Sequence, residues 1–195
     1  DIEYEFPMGF KELEGVHNRT NFDLTRHTEY SGKDMQYIDQ DNGNERYIPY
    51  IIETSAGLTR NLLMFLCDAY EEQKVADKGN DDDWRTVLHF HPVIAPITVA
   101  VLPLMKKDGL AELAQDIQAE LREDFRTDYD QSGAIGKRYR RQDEAGTPFC
   151  VTVDYDSKED GSVTLRFRDS MEQVRIPRTE LANRIRAEIK NYTRA

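Results

Sequence analysis

The run VIAPITVAVLPL, residues 93–104, constrains this chain more than any other stretch. It is apolar at too many consecutive positions to alternate, so as a strand it must be buried on both faces. A strand of that kind needs cover on either side, as an α/β layer provides. The downstream sequence supplies the layers. Leu110, Leu113, Ala114, Ile117 and Leu121 share one face and predict a helix over 109–123, and IGKRYRRQDE predicts a second over 135–144. FCVTVDYD (149–156) reads as a strand, Glu159-Asp160-Gly161 as a turn, and SVTLRFRD and MEQVRIP as further strands. Thr179 is positioned to cap a last helix running to about Tyr192. Strand–helix–strand alternation ending in a hairpin implies a compact α/β domain with a mixed sheet.

Upstream the pattern differs. Residues 1–53 are short strand-like runs broken by turns, such as DQDNGNE (39–45) between two tyrosine-bearing strands. Leu62, Leu63, Leu66, Ala69 and Tyr70 then recur at helical spacing and predict a helix over 59–73. The acidic stretch DKGNDDDW (77–84) separates the two halves as a surface loop or boundary. Charge divides there too. The net charge of −11 argues at first against a nucleic-acid partner, but residues 1–90 hold 9 Lys/Arg against 19 Asp/Glu and residues 91–195 hold 17 against 18. Acidity belongs to the first half, while the second is near neutral and carries Lys137, Arg138, Arg140 and Arg141 within five positions. Apolar content of 38% excludes a disordered chain, no run approaches the ~20 apolar residues that span a bilayer, and DIEYEFPMGF has no signal-peptide character. Cys67 and Cys150 both lie in apolar sequence and read as reduced core residues of a cytosolic protein.

Chemistry concentrates in IIETSAGLTR, residues 51–60, where a β-branched run passes through Ser55, Ala56 and Gly57 into a helix. Glu53 at the strand end could cap that helix, and Arg60 could pair with Asp68 or Glu71 on its surface. Ligand chemistry is the alternative for both. Glu12 and Glu14 in KELEG would share one face of a strand. In the basic helix, Arg138 and Arg141 are three apart and could meet a phosphate or a base edge together. His89 and His91 form an H-x-H pair, but no Cys or third His lies nearby, so they are expected to be structural. Asp128-Tyr129-Asp130 and Asp154-Tyr155-Asp156 read as acids closing strands. There is no Gly-rich phosphate loop, serine elbow or C-x-x-C pair.

IIETSAGLTR resembles the third signature motif of class II aminoacyl-tRNA synthetases. Together with KELEGVHNRTNFDLTRH (11–27), YIPYIIETSAGLTR (47–60), GAIGKRYRRQDEAGTPFCVTVDYD (133–156) and VTLRFRDSMEQVRI (163–176), it resembles the C-terminal part of the dimeric type of glycyl-tRNA synthetase, over nearly the whole chain. That resemblance implies an α+β and α/β organisation. Residues 1–88 would be the tail of the antiparallel-sheet catalytic domain, with the third motif at 47–73, and residues 89–195 a mixed-sheet anticodon-binding domain. It implies a cytoplasmic, homodimeric glycine–tRNA ligase that uses ATP and Mg2+, with glycine and tRNA(Gly) as partners and no membrane. The first two motifs would lie before Asp1, so the piece alone is expected to be inactive.

Residue roles carry over in the same way. Glu12, Leu13, Gly57, Leu58, Thr59 and Arg60 would meet ATP, with Glu12 reaching it through Mg2+. Glu53, Thr54, Ser55, Ala56 and Gly57 would hold glycine, Thr54 standing where the family commonly has proline. No residue is expected as a nucleophile or proton-transfer catalyst. Arg138, Arg141, Asp143, Glu144, Arg168 and Asp169 are the anticodon candidates. Arg19 and Asp23 lie in a strongly matching word without an assigned role, and His17 stands where the family often has a small residue. A non-catalytic accessory subunit, or a sister synthetase for threonine, proline or histidine, are the competing functions.

Overall fold

The computed structural model describes residues 1–75 and 84–193. The boundary expected at 77–84 therefore lies, Trp84 apart, outside the described residues. Two compact units form, Asp1–Cys67 and Asp68–Ala195. Residues 68–75 and 84–88, expected with the first domain, fold with the second unit.

In the first unit, β1 (Ile2–Phe6) and β2 (Gly9–Thr20) pair antiparallel, and β2 leads into α1 (Phe22–Ser31). The expected tyrosine strands are β3 (Tyr37–Asp39) and β4 (Glu45–Tyr47), paired so that the Tyr37 and Tyr47 rings meet edge to face 5.8 Å apart. β5 (Ile51–Ala56) lies against β2, giving the sheet order β1-β2-β5, and α2 (Leu58–Ala69) follows directly.

The second unit opens with β6 (Tyr70–Lys74) paired antiparallel to β7 (Trp84–Leu88). The helix expected to continue to 73 thus stops at Ala69, because pairing with β7 draws YEEQK out of the helix. The remaining elements are β8 (Val99–Pro103), α3 (Leu110–Leu121), β9 (Thr127–Tyr129), α4 (Ile135–Ala145), β10 (Phe149–Val153), α5 (Tyr155–Asp160), β11 (Ser162–Phe167), β12 (Gln173–Pro177) and α6 (Arg178–Lys190). Their sheet runs β12-β11-β10-β8-β9, parallel among β10, β8 and β9 and antiparallel from β10 to β12. This is the expected mixed sheet.

β8 is buried at every position, as its composition requires. Its alternation divides two cores. Val99 and Val101 pack with α3 and α6 residues such as Leu110, Ile117, Leu181 and Ile185, whereas Ala100 and Leu102 join Cys150 beneath Ile135 and Tyr139 of α4. Only 99–103 of the apolar run is strand. Burial pushes the Cys150 thiol up to about 12, so it stays protonated; both cysteines are free. Two other expectations shift at element ends. Residues 155–156 belong to a short helix, because Asp154 accepts from Ser157 N at 3.0 Å while Ser157 Oγ accepts from Asp154 N at 3.1 Å. The last helix begins after Pro177, which is its N-cap, so Thr179 already lies inside it.

Buried polar groups bind these elements together. Asp143 is fully buried and receives Arg166 on both oxygens, at 2.8 and 3.0 Å, and Arg85 at 3.2 Å. Arg85 also donates to the Arg168 carbonyl at 2.8 Å and to Gln73 Oε1 at 2.9 Å. Arg168, 1% exposed, donates to the carbonyls of Phe90 and Gly146 and forks onto Asp169 at 2.7 and 3.0 Å. Asp169 further pairs with His89 Nδ1 at 2.7 Å and accepts from Tyr192. Burial alone would raise the Asp169 carboxyl; Arg168, His89 and Tyr192 hold it below the ordinary carboxylate range. His89 is thus structural, as expected, and His91 packs edge to face on Tyr192.

This packing makes two substitutions informative. Gly146 ends α4 at φ +76°, and a Cβ there would sit 2.5 Å from the Phe90 ring and 2.8 Å from the Leu88 carbonyl. Gly146→Ala should therefore cost about 2 kcal/mol or more, measured as a lowered urea midpoint. Asp169, with its depressed pKa, stabilises the fold above the unfolded carboxyl value of about 3.9 and loses that contribution as pH falls through its folded value. Urea midpoints of the parent and Asp169→Asn should differ near pH 7 and converge on acidification below about pH 4.

Candidate functional site

At the end of β5 the chain turns through Gly57 into α2, and both Asn61 N and Asn61 Nδ2 donate to the Gly57 carbonyl at 3.0 Å. This ties the turn to the first helical turn without proline at position 54. Alternation along β5 gives Glu53 and Ser55 one face. Across the sheet they register with His17 and Gly15 of β2, and a Cβ on Gly15 would lie 2.5 Å from His17 Nε2, so the imidazole covers that glycine. His17 Nε2 also lies 3.6 Å from Asp1.

Glu53 is half exposed and its Oε2 lies 3.3 Å from Arg19 Nε. Arg19 is in turn held by both carboxylate oxygens of Asp23, at 2.9 and 3.1 Å. Donation from Arg19 lowers the Asp23 pKa, and the accepting Asp23 carboxylate raises the Arg19 pKa. The resemblance gives these two residues no role; the usable signal in the sequence is their i, i+4 spacing, with an acid in the first turn of α1.

Arg60 reaches back from α2 to the first sheet, where its Nη1 donates to the backbone carbonyl of Glu12. The structure therefore joins the two segments expected around ATP, KEL and the arginine of α2. Glu12 faces Glu3 across β1 and β2, and both carboxylates are exposed. Leu13 is half-buried, whereas Thr54, Ser55, Ala56, Gly57, Leu58 and Thr59 are exposed. The junction thus presents an acid, a hydroxyl and open backbone on one side, and an arginine anchored to β2.

The anticodon candidates separate sharply. Arg138, Asp143 and Arg168 are only 2%, 0% and 1% exposed, which corrects their placement at a nucleic-acid surface. Arg138 spends its guanidinium on the carbonyls of Pro103, Leu104 and Asp130. Asp169 is committed internally to Arg168, His89 and Tyr192. Arg141 remains accessible, braced on Asp130 Oδ2 at 3.0 Å and on the Ser132 carbonyl at 2.6 Å, and Glu144 is exposed one turn on. A cavity of about 380 Å³ lies between β11, β12 and α6, lined by Phe167, Arg168, Asp169, Arg184, Asn191 and Tyr192. Arg184 sits over the Phe167 ring at 5.9 Å.

Residues 98–188 match the family model described as "Anticodon binding domain". The whole chain is 88% identical to part of a glycine–tRNA ligase of Treponema denticola, of which it covers 43%. It is 58% identical to the glycine–tRNA ligase of Treponema pallidum, covering 46% of it. With 93% of its length it is 58% identical to that of Bacillus cereus, covering 38%. The chain thus spans less than half the length of these curated relatives. Residues 98–188 are thus similar to an anticodon-binding domain, in a chain that over its whole length is similar to somewhat under half of a glycine–tRNA ligase.

Proposed function

We propose that the full-length protein is a glycine–tRNA ligase, joining glycine to ATP as glycyl-adenylate and then to the terminal ribose of tRNA(Gly). Its first unit would be the tail of the catalytic domain and its second the anticodon-binding domain. The observation that carries this is the junction at 53–60, where Glu53 and Ser55 share a strand face and Arg60 is tied back to KEL. High identity to glycine–tRNA ligases supports the choice of amino acid over threonine, proline or histidine.

Glycine offers an ammonium and a carboxylate but no side chain. Selectivity must come from gripping the ammonium and leaving no room beyond the α-carbon. Glu53 and Ser55 take the ammonium, and Thr54, Ala56 and Gly57 form the close wall. Arg60, with Gly57, Leu58 and Thr59 beside it and Leu13 in the segment it braces, orients ATP through stacking and phosphate pairing. Activation is displacement at phosphorus and needs positioning and charge neutralisation rather than a protein nucleophile. The exposed carboxylate of Glu12 suits Mg2+, which is commonly held by one or two carboxylates plus substrate phosphates. When bound, Mg2+ would neutralise phosphate charge.

On the second unit, Arg141 and Glu144 are the accessible candidates for tRNA. The same reading includes a cytoplasmic homodimer; among the described residues no helix is long and apolar enough to cross a membrane.

In the full-length enzyme, Glu53→Gln should reduce glycine-dependent pyrophosphate exchange on the order of 100-fold, since it removes the charge that pairs the ammonium. Exchange at the parent level removes Glu53 from the pocket. Arg141→Glu should weaken tRNA charging while sparing exchange, measured on one preparation; equal loss of both would indicate a structural effect.

A further inference from the structure

His89 is 8% exposed, and its two ring nitrogens meet different demands. Nδ1 lies 2.7 Å from Asp169 Oδ1, in the connection between β11 and β12. Burial raises that carboxyl, but Arg168, the ring itself and Tyr192 hold it below the ordinary range, so it stays an acceptor and Nδ1 keeps its hydrogen. Nε2 faces β6, where residues 71 and 73 point to the same side of the strand. It lies 3.2 Å from Gln73 Nε2 and 3.2 Å from Glu71 Oε2. The orientation of the Gln73 amide is fixed by its partner across the hairpin. Arg85 on β7 donates Nε and Nη2 to the Gln73 oxygen at 2.9 and 2.5 Å, so the group turned to the ring is the NH2. An amide NH2 only donates and a carboxylate only accepts. Nε2 therefore satisfies one of these neighbours in each protonation state and never both.

We propose that His89 is a proton-operated latch between the β6–β7 hairpin and the β11–β12 connection, exchanging Gln73 for Glu71 when the ring becomes charged. The neutral ring carries its hydrogen on Nδ1, donates to Asp169 and accepts the Gln73 amide at Nε2. When Nε2 takes a proton from solvent, it changes from acceptor to donor. The Gln73 NH2 is then expelled, and the half-exposed Glu71 carboxylate closes onto the imidazolium. Two carboxylates touch the ring directly, Glu71 from β6 and Asp169 from the β11–β12 connection. The guanidiniums reach it only through a partner: Arg168 through Asp169, and Arg85 of β7 through Gln73, with Asp143 of α4 behind Arg85. The Tyr192 hydroxyl, beyond α6, occupies the other Asp169 oxygen, and His91 packs edge to face on the Tyr192 ring. Because Gln73 also carries Arg85, releasing its amide reaches the Arg85–Asp143 pair and changes how firmly the hairpin is footed. The latch is independent of the glycine-pocket reading.

The test uses the full-length protein with isotope-labelled histidine, whose ring-nitrogen chemical shifts report tautomer and charge; the signal lost in His89→Gln assigns the ring. The neutral ring should be the Nδ1–H tautomer. Glu71→Gln removes an acceptor that only the charged ring can use, so the titration midpoint should fall by roughly 0.2–0.7 pH unit, the scale of a part-exposed ion pair. Gln73→Glu keeps an oxygen for Arg85 but replaces the donor with an acceptor, so the midpoint should rise. Crystal structures at about pH 5.5 and about pH 8.5, either side of the range in which imidazole changes charge, should show Glu71 on the ring in the first and the Gln73 amide in the second. A neutral ring protonated on Nε2, midpoints that stay fixed or move the same way in both variants, or one partner kept at both pH values would overturn the latch. Tm monitors folding. If Gln73→Glu folds poorly, the midpoint of Glu71→Gln, at a half-exposed position, decides alone.

Discussion

A single carboxylate with no exposure to water, Asp143, organises the second unit. Two guanidiniums converge on it from different strands, Arg166 of β11 and Arg85 of β7. Both guanidiniums are buried charges and need the acid beside them. Loss of the central acid would strand them, a cost of roughly 3–5 kcal/mol for a broken buried pair. Arg85 also reaches the Arg168 carbonyl and Gln73, which is why residues 70–74 and 84–88 belong with this unit. The arrangement is less a source of net stability than a condition on geometry, since each strand must arrive with its charge aligned.

That interior explains what the sequence concealed. β8 and α3 were legible because their burial is apolar, and apolar burial leaves a periodic trace. The buried stripe of α4 is instead Arg138, Gln142 and Asp143, continuing the line set by Ile135 and Tyr139. Hydropathy discounts such residues, so a basic helix read as a nucleic-acid surface. The spacing of Ile135 and Tyr139 was the available clue, because Arg138 and Asp143 lie on the same side of the helix. The end of α2 was hidden for another reason: YEEQK is a passable helical continuation until WRTVL pairs with it. Local propensity cannot anticipate a partner that arrives later in the chain.

The junction around Glu53 was legible as residue types and illegible as contacts. Glu53, Ser55 and Arg60 are neighbours in sequence, so a short word announces them. Their supports come from β2, far back in the chain, through Arg19 and the Glu12 carbonyl. The register shift of β2 between Asn18 and Thr20, a bulge, has no signature in a single sequence, because it is a relation between two strands. The ligand groups could be named while what holds them could not.

The two-sided burial of β8 has a consequence for how such a domain changes over time. Val101 and Leu102 are covalent neighbours, yet one belongs to the α3–α6 core and the other to the layer beneath α4. Substitutions at these adjacent positions answer to different companions and should combine nearly independently. The strand works as a partition wall, and lineages can redecorate one room without disturbing the other.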